Sequence, residues 1–224
     1  MKDVILSILE AGITAKRSCV EANLDNIIKA ADMLTACMTA GGKVLLFGNG
    51  GSAADSQHLA AEFVNRFQIE RPPLAAIALT TDTSILTSIG NDYHFDDIYS
   101  KQIIALGKKE DIAWGLSTSG NSPNVIKAVK AAQKLGMSTI GMTGRGGELA
   151  KYADLAFTVP SDTTARVQET HITLGHILCE LLERKLYPEQ FNNYGIEEFR
   201  RFVSWKLISV FCDPKSKIQA PNFK

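Results

Sequence analysis

Five short apolar runs, at residues 43–48, 74–79, 111–116, 138–142 and 154–159, are separated by segments of helical spacing at 52–67, 82–90, 95–107 and 122–135. Strands that alternate with helices cannot pair as hairpins, so they must join a mainly parallel sheet through crossovers. "LAAIAL" and "DIAWGLS" are apolar at successive rather than alternate positions, as expected of strands covered on both faces. The expected fold is therefore α/β: a doubly wound, mainly parallel five-stranded sheet flanked by helices.

Residues 3–40 precede the first strand and read as two helices broken near Asn23. In the second, Ile27, Ala30, Ala31, Leu34 and Met38 recur at helical spacing, and Gly41-Gly42 ends it. These helices carry more apolar surface than one small sheet face needs, which assigns them to oligomerisation. A last helix spans 163–186. With 224 residues, 45% hydrophobic, the chain can build one large core and is short for two full domains. The expected organisation is one domain over 1–186, including the helical segment 1–40, and a C-terminal extension over 187–224. In that extension "LYPEQFNNYG" is a turn-rich connector, "IEEFRRFVSWKLISVF" fits one amphipathic helix, and "CDPKSKIQAPNFK" reads as a flexible end.

Several function classes drop out. Lys plus Arg and Asp plus Glu both count 24, so no basic excess points to nucleic acid. Cys19, Cys37, Cys179 and Cys212 are widely spaced and form no C-x-x-C pair, which fits a reduced, cytoplasmic protein. "MKDVILSILEAG" reaches Glu10 too soon for a signal-peptide core, and no run of 18 apolar residues exists to span a membrane.

Two turns carry the chemistry. "GNGGSA" at 48–53 follows the first strand and opens a helix. It fits the loose pattern of dinucleotide sites, but no acidic residue follows at about 20 positions, and no Lys makes it a Walker loop. What remains is a backbone that a ligand can approach closely, with Ser52 as a helix cap, Asp55 at the capping-box position, and a helix N-terminus that favours an anion. "GLSTSGNSPNVIKAV" at 115–129 repeats the order strand, polar turn, helix, with Ser122 at the N-cap and Pro123 after it. Ser117, Thr118 and Ser119 add hydroxyls. Hydroxyls and N–H groups without Lys or Arg suit a phosphate monoester. In a parallel sheet both turns lie at the carboxyl edge, where ligands bind.

His58 and Glu62 share a helix face four residues apart. Gln168, Glu169, His171 and His176 lie on the last helix, while His94 reads as a loop histidine. By spacing alone, Gln168 pairs with His171.

"FGNGGSAADSQHLAAEF", "LTTDTSILTSIGNDYHFDDIYSKQI", "GLSTSGNSPNVIKA" and "ARVQETHITLGHILCELLE" together resemble the phosphoheptose isomerase family of the SIS (sugar isomerase) superfamily, over residues 1–186. The resemblance implies a cytoplasmic homotetramer with active sites at subunit boundaries and one zinc per subunit. Such enzymes isomerise sedoheptulose 7-phosphate to D-glycero-D-manno-heptose 7-phosphate for bacterial surface polysaccharide. It implies that Asn49, Gly50, Gly51 and Ser52 line the substrate. Ser117, Thr118, Ser119 and Ser122 would hold the phosphate, and Asn91 and Asp92 would contact the sugar. His58, Glu62, Gln168 and His176 would ligate zinc, with Glu62 and His176 as the acid/base pair and Glu62 shifting its coordination when it acts as base. Non-catalytic relatives that associate with a replication initiator share the fold, and this chain keeps the acid and the imidazole that they lack. Geometry resists one item of this set. Gln168 and His176 are eight residues apart, a rise of about 12 Å along a straight helix. Either the helix starts late or is distorted near Gln168, or two subunits supply the two residues.

Overall fold

The computed structural model describes residues 1–191; the expected helix at 196–211 and the end that follows lie outside the described residues. Helices α1 (Lys2–Ala22) and α2 (Leu24–Thr39) lead into β1 (Val44–Gly48), α3 (Gly51–Val64), β2 (Ala76–Ala78) and α4 (Thr83–Asp92). A single 3-10 turn, Phe95–Asp97, precedes α5 (Ile98–Leu106) and β3 (Ile112–Ser117). Then come α6 (Pro123–Lys134), β4 (Ser138–Thr143), α7 (Glu148–Tyr152), β5 (Leu155–Thr158) and α8 (Thr164–Leu186). The break between α1 and α2 falls at Asn23, whose Nδ2 donates to the Cys19 carbonyl at 2.8 Å and so ends α1 from within.

The sheet has the order β2-β1-β3-β4-β5 with every pair parallel. Side chains alternate between two cores. Val44, Leu46, Ile112, Trp114 and Leu116 face α1, α2, α3 and α8; Leu45, Phe47 and Ala113 face α5, α6 and α7. β2 is shorter than the expected run 74–79. It is an edge strand, and Pro72-Pro73 in front of it bring no N–H to extend the ladder. α7 was not foreseen, because the five residues "ELAKY" are too few to reveal a helical period.

The chain leaves β1 toward β2 on one side and returns to β3 on the other, so the strand order reverses between β1 and β3. That switch point opens a crevice at the carboxyl ends of the two strands. Both polar turns sit there. Among the described residues no helix is long and apolar enough to cross a membrane. On α1, Val4, Ile5, Leu6, Ile8 and Leu9 are each more than half exposed, and α4 has no buried residue.

His171 lies in the core, fully buried, with Nε2 3.1 Å from the Thr143 carbonyl at the end of β4. It is thus a packing histidine on the face of α8 that meets the sheet, and the Gln168–His171 pairing read from spacing does not form a site. Burial pushes its pKa down to about 4, with the Thr143 contact opposing. The folded value lies below the unfolded one of 6.5, so this histidine favours folding fully at neutral pH. That advantage drains away as pH falls from 6.5 toward 4, by on the order of 3 kcal/mol. Denaturant titrations at pH 7 and pH 4.5 should show a smaller stability difference for His171→Gln than for the wild type. An equal difference would remove His171 as a cause.

Candidate active site

The turn after β1 is shaped by its glycines. A Cβ on Gly48 would lie 2.8 Å from both the Leu116 carbonyl oxygen and the Ser52 Cβ, so no larger residue fits between β1 and β3. Gly50, with φ of 57°, is the N-cap of α3 and Gly51 its first residue. Ser52 is therefore one position inside the helix, buried, and not the cap expected of it; no side chain caps α3. The Ser52/Asp55 capping box fails for the same reason. Asp55 instead has a buried Oδ2 with no partner, and burial raises its pKa against the opposing pull of His58.

The turn after β3 is a ring of hydroxyls. Ser117 Oγ lies 2.8 Å from Ser122 Oγ and 3.4 Å from Ser119 Oγ, and the Asn121 N–H donates to Ser119 Oγ at 3.1 Å. Ser122 is the N-cap and Pro123 the first residue of α6, as expected, although the Ser122 hydroxyl turns to Ser117 rather than to the helix. Gly120 has φ of 67°, and a Cβ there would lie 1.7 Å from the Gly146 carbonyl oxygen. A cavity of about 330 Å³ beside Thr118 and Ser119 also includes Arg145, whose Nε is 2.6 Å from Asp162. A cation thus stands next to a turn that has none in its own sequence.

Two clamps missing from the sequence reading hold the turns. Asn49 and Asn124 exchange side-chain hydrogen bonds of 2.9 and 2.8 Å across the crevice. Asn49 therefore offers a ligand its backbone, its amide being committed to Asn124. α6 also carries Lys127, Lys130, Gln133 and Lys134, so nothing in its composition singles out Asn124. The buried Tyr99 hydroxyl donates to the Gly48 carbonyl. Burial moves its pKa up to about 12, so it stays a donor. Tyr99 is 51 positions from Gly48, and nothing local announces the pairing.

The histidines meet where α3 crosses α8. A Cβ on Gly175 would lie 2.4 Å from Leu59 Cδ2, so the glycine allows this close approach one residue before His176. His58 Nε2 lies 3.0 Å from Glu62 Oε1 and 3.2 Å from His176 Nε2. One ligand atom from each of the three falls within 4.8 Å of the others. Burial and then the neighbouring His58 lower the His176 pKa, while Glu62 acts the other way. A neutral His176 keeps a nitrogen lone pair for a cation. Phe67 covers the other side of this imidazole, with ring centroids 5.2 Å apart. Two imidazole nitrogens and one carboxylate oxygen, all from one chain, form a group able to hold a metal ion.

Gln168 lies eight residues before His176 on α8. α8 is continuous from Thr164 to Leu186, so the helix neither starts late nor breaks near Gln168. Its carboxamide packs on Gly51, where an added Cβ would lie 2.3 Å from Nε2. Asn91 and Asp92 end α4, both exposed, and the Asn91 amide donates to Asp92 at 2.8 Å. His94 is exposed ahead of the 3-10 turn, as a loop histidine would be.

Residues 10–144 match the family model described as SIS domain. A phosphoheptose isomerase of Nitratidesulfovibrio vulgaris strain Hildenborough is 55% identical over 177 residues, covering 79% of this chain and 85% of the relative. One of Aquifex aeolicus is 53% identical over 184 residues, covering 82% and 96%. The solved phosphoheptose isomerase of Neisseria gonorrhoeae superimposes with a TM-score of 0.76 at 45% identity, covering 81% of this chain and 98% of that one. That of Francisella tularensis gives 0.78 at 41%, covering 81% and 97%. A sheet whose switch point presents two polar turns, a His/Glu/His cluster on α3 and α8, and these identities make this chain a member of the phosphoheptose isomerase family of SIS-domain proteins.

Proposed function

We propose that the chain isomerises sedoheptulose 7-phosphate to D-glycero-D-manno-heptose 7-phosphate, supplying heptose for bacterial lipopolysaccharide or capsule in the cytoplasm. The observation that carries this reading is the meeting of Glu62 and His176 in one cluster, on a helix that starts at the glycine turn. Proton donors and acceptors next to an anion site suit a phosphorylated sugar whose carbons exchange a proton.

In this reading the Ser117, Thr118, Ser119 and Ser122 turn holds the phosphate, and the Asn49–Ser52 backbone lines the sugar. Glu62 removes a proton from C1 of the ketose and returns it to C2, through an ene-diol. His176 moves a proton from O1 to O2. Zinc, one ion per subunit held by His58, Glu62 and His176, with Gln168 as the fourth ligand that the family resemblance implies, would supply a Lewis acid for the carbonyl. The donor set, two nitrogens and one oxygen, suits that ion. Glu62 belongs to both the acid/base pair and the ligand set, so it shifts its coordination when it acts as base.

We further infer a homotetramer, from the exposed apolar face of α1 and the unburied α4. His58, Glu62 and His176 belong to one chain. Any contribution of a neighbour therefore falls to groups such as Gln168, Asn91 and Asp92, and mixing Glu62→Gln with His176→Ala subunits should not restore activity.

Incubation with sedoheptulose 7-phosphate and chromatography of the sugar phosphates tests the function; an aldose heptose 7-phosphate should accumulate, and none would refute it. Ser119→Ala or Ser122→Ala removes a hydrogen bond to a charged group, about 1.5–3 kcal/mol, and should lower kcat/KM by roughly 10- to 150-fold. Unchanged kinetics in both variants would place the phosphate elsewhere.

A further inference from the structure

Glu62 and His176 sit on helices that are far apart in the chain, α3 and α8, yet their chemistry requires a fixed separation. We propose that the buried Arg71–Glu183 ion pair sets that separation: both are positioning residues for the Glu62/His176 pair. The proposal rests on the isomerase reading above and adds to it a part of the site that no motif marks.

Both side chains are almost wholly buried, 2% and 1% exposed. Arg71 Nε donates to Glu183 Oε1 at 2.9 Å. The rest of its guanidinium points at the C-terminal end of α3. One terminal nitrogen donates to the Glu62 carbonyl at 2.7 Å, and the other to the Phe63 carbonyl at 2.8 Å and the Pro72 carbonyl at 3.1 Å. Carbonyls in the last turn of a helix lack intrahelical partners, and a cation there also meets the negative end of the helix dipole. Arg71 therefore grips the backbone of the very residue that serves as base.

Glu183 grips the segment that follows. Its Oε1 accepts the Phe67 N–H at 2.9 Å, and its Oε2 accepts the Gln68 and Ile69 N–H groups at 2.9 and 3.2 Å. Phe67 in turn lays its ring against the imidazole of His176. Glu183 is also seven residues beyond His176 on α8, two turns along the same face. One ion pair thus fixes α8, the end of α3 and the ring that covers His176.

A buried ion pair contributes little to net stability when apolar residues of similar volume can take its place. Here three backbone N–H groups and four carbonyls, those of Glu62, Phe63, Asn65 and Pro72, depend on the pair, and no apolar replacement satisfies them. The partners are concentrated where the acid/base groups are held.

The test compares Arg71→Lys and Glu183→Gln with Asp111→Asn. Asp111 is equally buried and pairs with Lys43 at 2.6 Å, at the opposite end of the sheet. Lys keeps the charge of Arg71 but loses the planar fork that reaches Glu183 and the carbonyls together. For each protein, kcat, KM, Zn²⁺ affinity by competition with a chromogenic chelator, and thermal unfolding are measured. Arg71→Lys and Glu183→Gln should lose about 10- to 100-fold in kcat and in Zn²⁺ affinity, as losses of supporting groups around a metal do. KM for the sugar phosphate should change by less than about threefold, because the phosphate turn is not tied to the pair. Asp111→Asn should lower the unfolding temperature while kcat and Zn²⁺ affinity of the folded protein stay at wild-type values. If Glu183→Gln does not fold, Arg71→Lys decides. A folded Arg71→Lys with wild-type kcat and Zn²⁺ affinity overturns the proposal, as does an Asp111→Asn that loses both equally. Failure of the isomerase reading looks different: the wild type itself would then show no turnover.

Discussion

Glu62→Gln should lower kcat by about 10²–10⁴-fold while sedoheptulose 7-phosphate still binds. Glutamine keeps the size of the side chain and one carbonyl oxygen, so the packing of α3 on α8 is preserved. It loses the negative charge and the basicity, and with them the group that carries a proton between C1 and C2. KM should move little, because the phosphate is proposed to sit on the Ser117–Ser122 turn, which has its own internal hydrogen bonds. Glu62 is also one of the three residues able to hold a metal ion, so metal content must be measured alongside. A variant with wild-type metal content and wild-type kcat would leave Glu62 without the role of base.

Removal of metal should have an effect of similar size. A Lewis acid at a carbonyl is worth several kcal/mol, which corresponds to roughly 10²-fold or more in rate. A chelator followed by desalting should bring turnover down by that factor, and stoichiometric Zn²⁺ should restore it. The geometry explains why a cation is expected: His58 and His176 direct Nε2 at each other across 3.2 Å, with the Glu62 carboxylate alongside. Ligation needs neutral imidazoles, so affinity should weaken as pH falls. The lowered pKa of His176 keeps that ring neutral further into acid than an ordinary histidine. Full activity in a preparation that elemental analysis shows to be free of metal would contradict this.

The elements legible in the sequence were those set by local pattern. Apolar runs between helical segments were enough for the five parallel strands, because burial on both faces leaves a continuous signature. Two polar turns after β1 and β3 were enough to locate the crevice, because a parallel sheet puts such turns on one edge. The errors came where tertiary contact overrides local preference. Ser52 has the side chain of a helix cap, but with Gly50 at positive φ as the cap the helix begins two residues earlier than a Ser52 cap would allow. His171 matches Gln168 in spacing but is drawn into the core by the Thr143 carbonyl. The long-range pairs left no trace at all. Asn49 with Asn124, Tyr99 with Gly48, and Arg71 with Glu183 are separated by 75, 51 and 112 positions, and only the fold brings them together.

The central claim is that the Glu62/His176 cluster moves a proton on a phosphorylated heptulose rather than merely holding the sugar. The most direct measurement follows [1-¹³C]sedoheptulose 7-phosphate by NMR in the presence of the Zn²⁺-loaded protein. The labelled carbon should pass from a hydroxymethyl to a hemiacetal resonance with the wild type, and remain a hydroxymethyl with Glu62→Gln. A ketose that binds the wild-type protein, broadens its resonance and never changes position would contradict the account and identify the chain as a sugar phosphate-binding module.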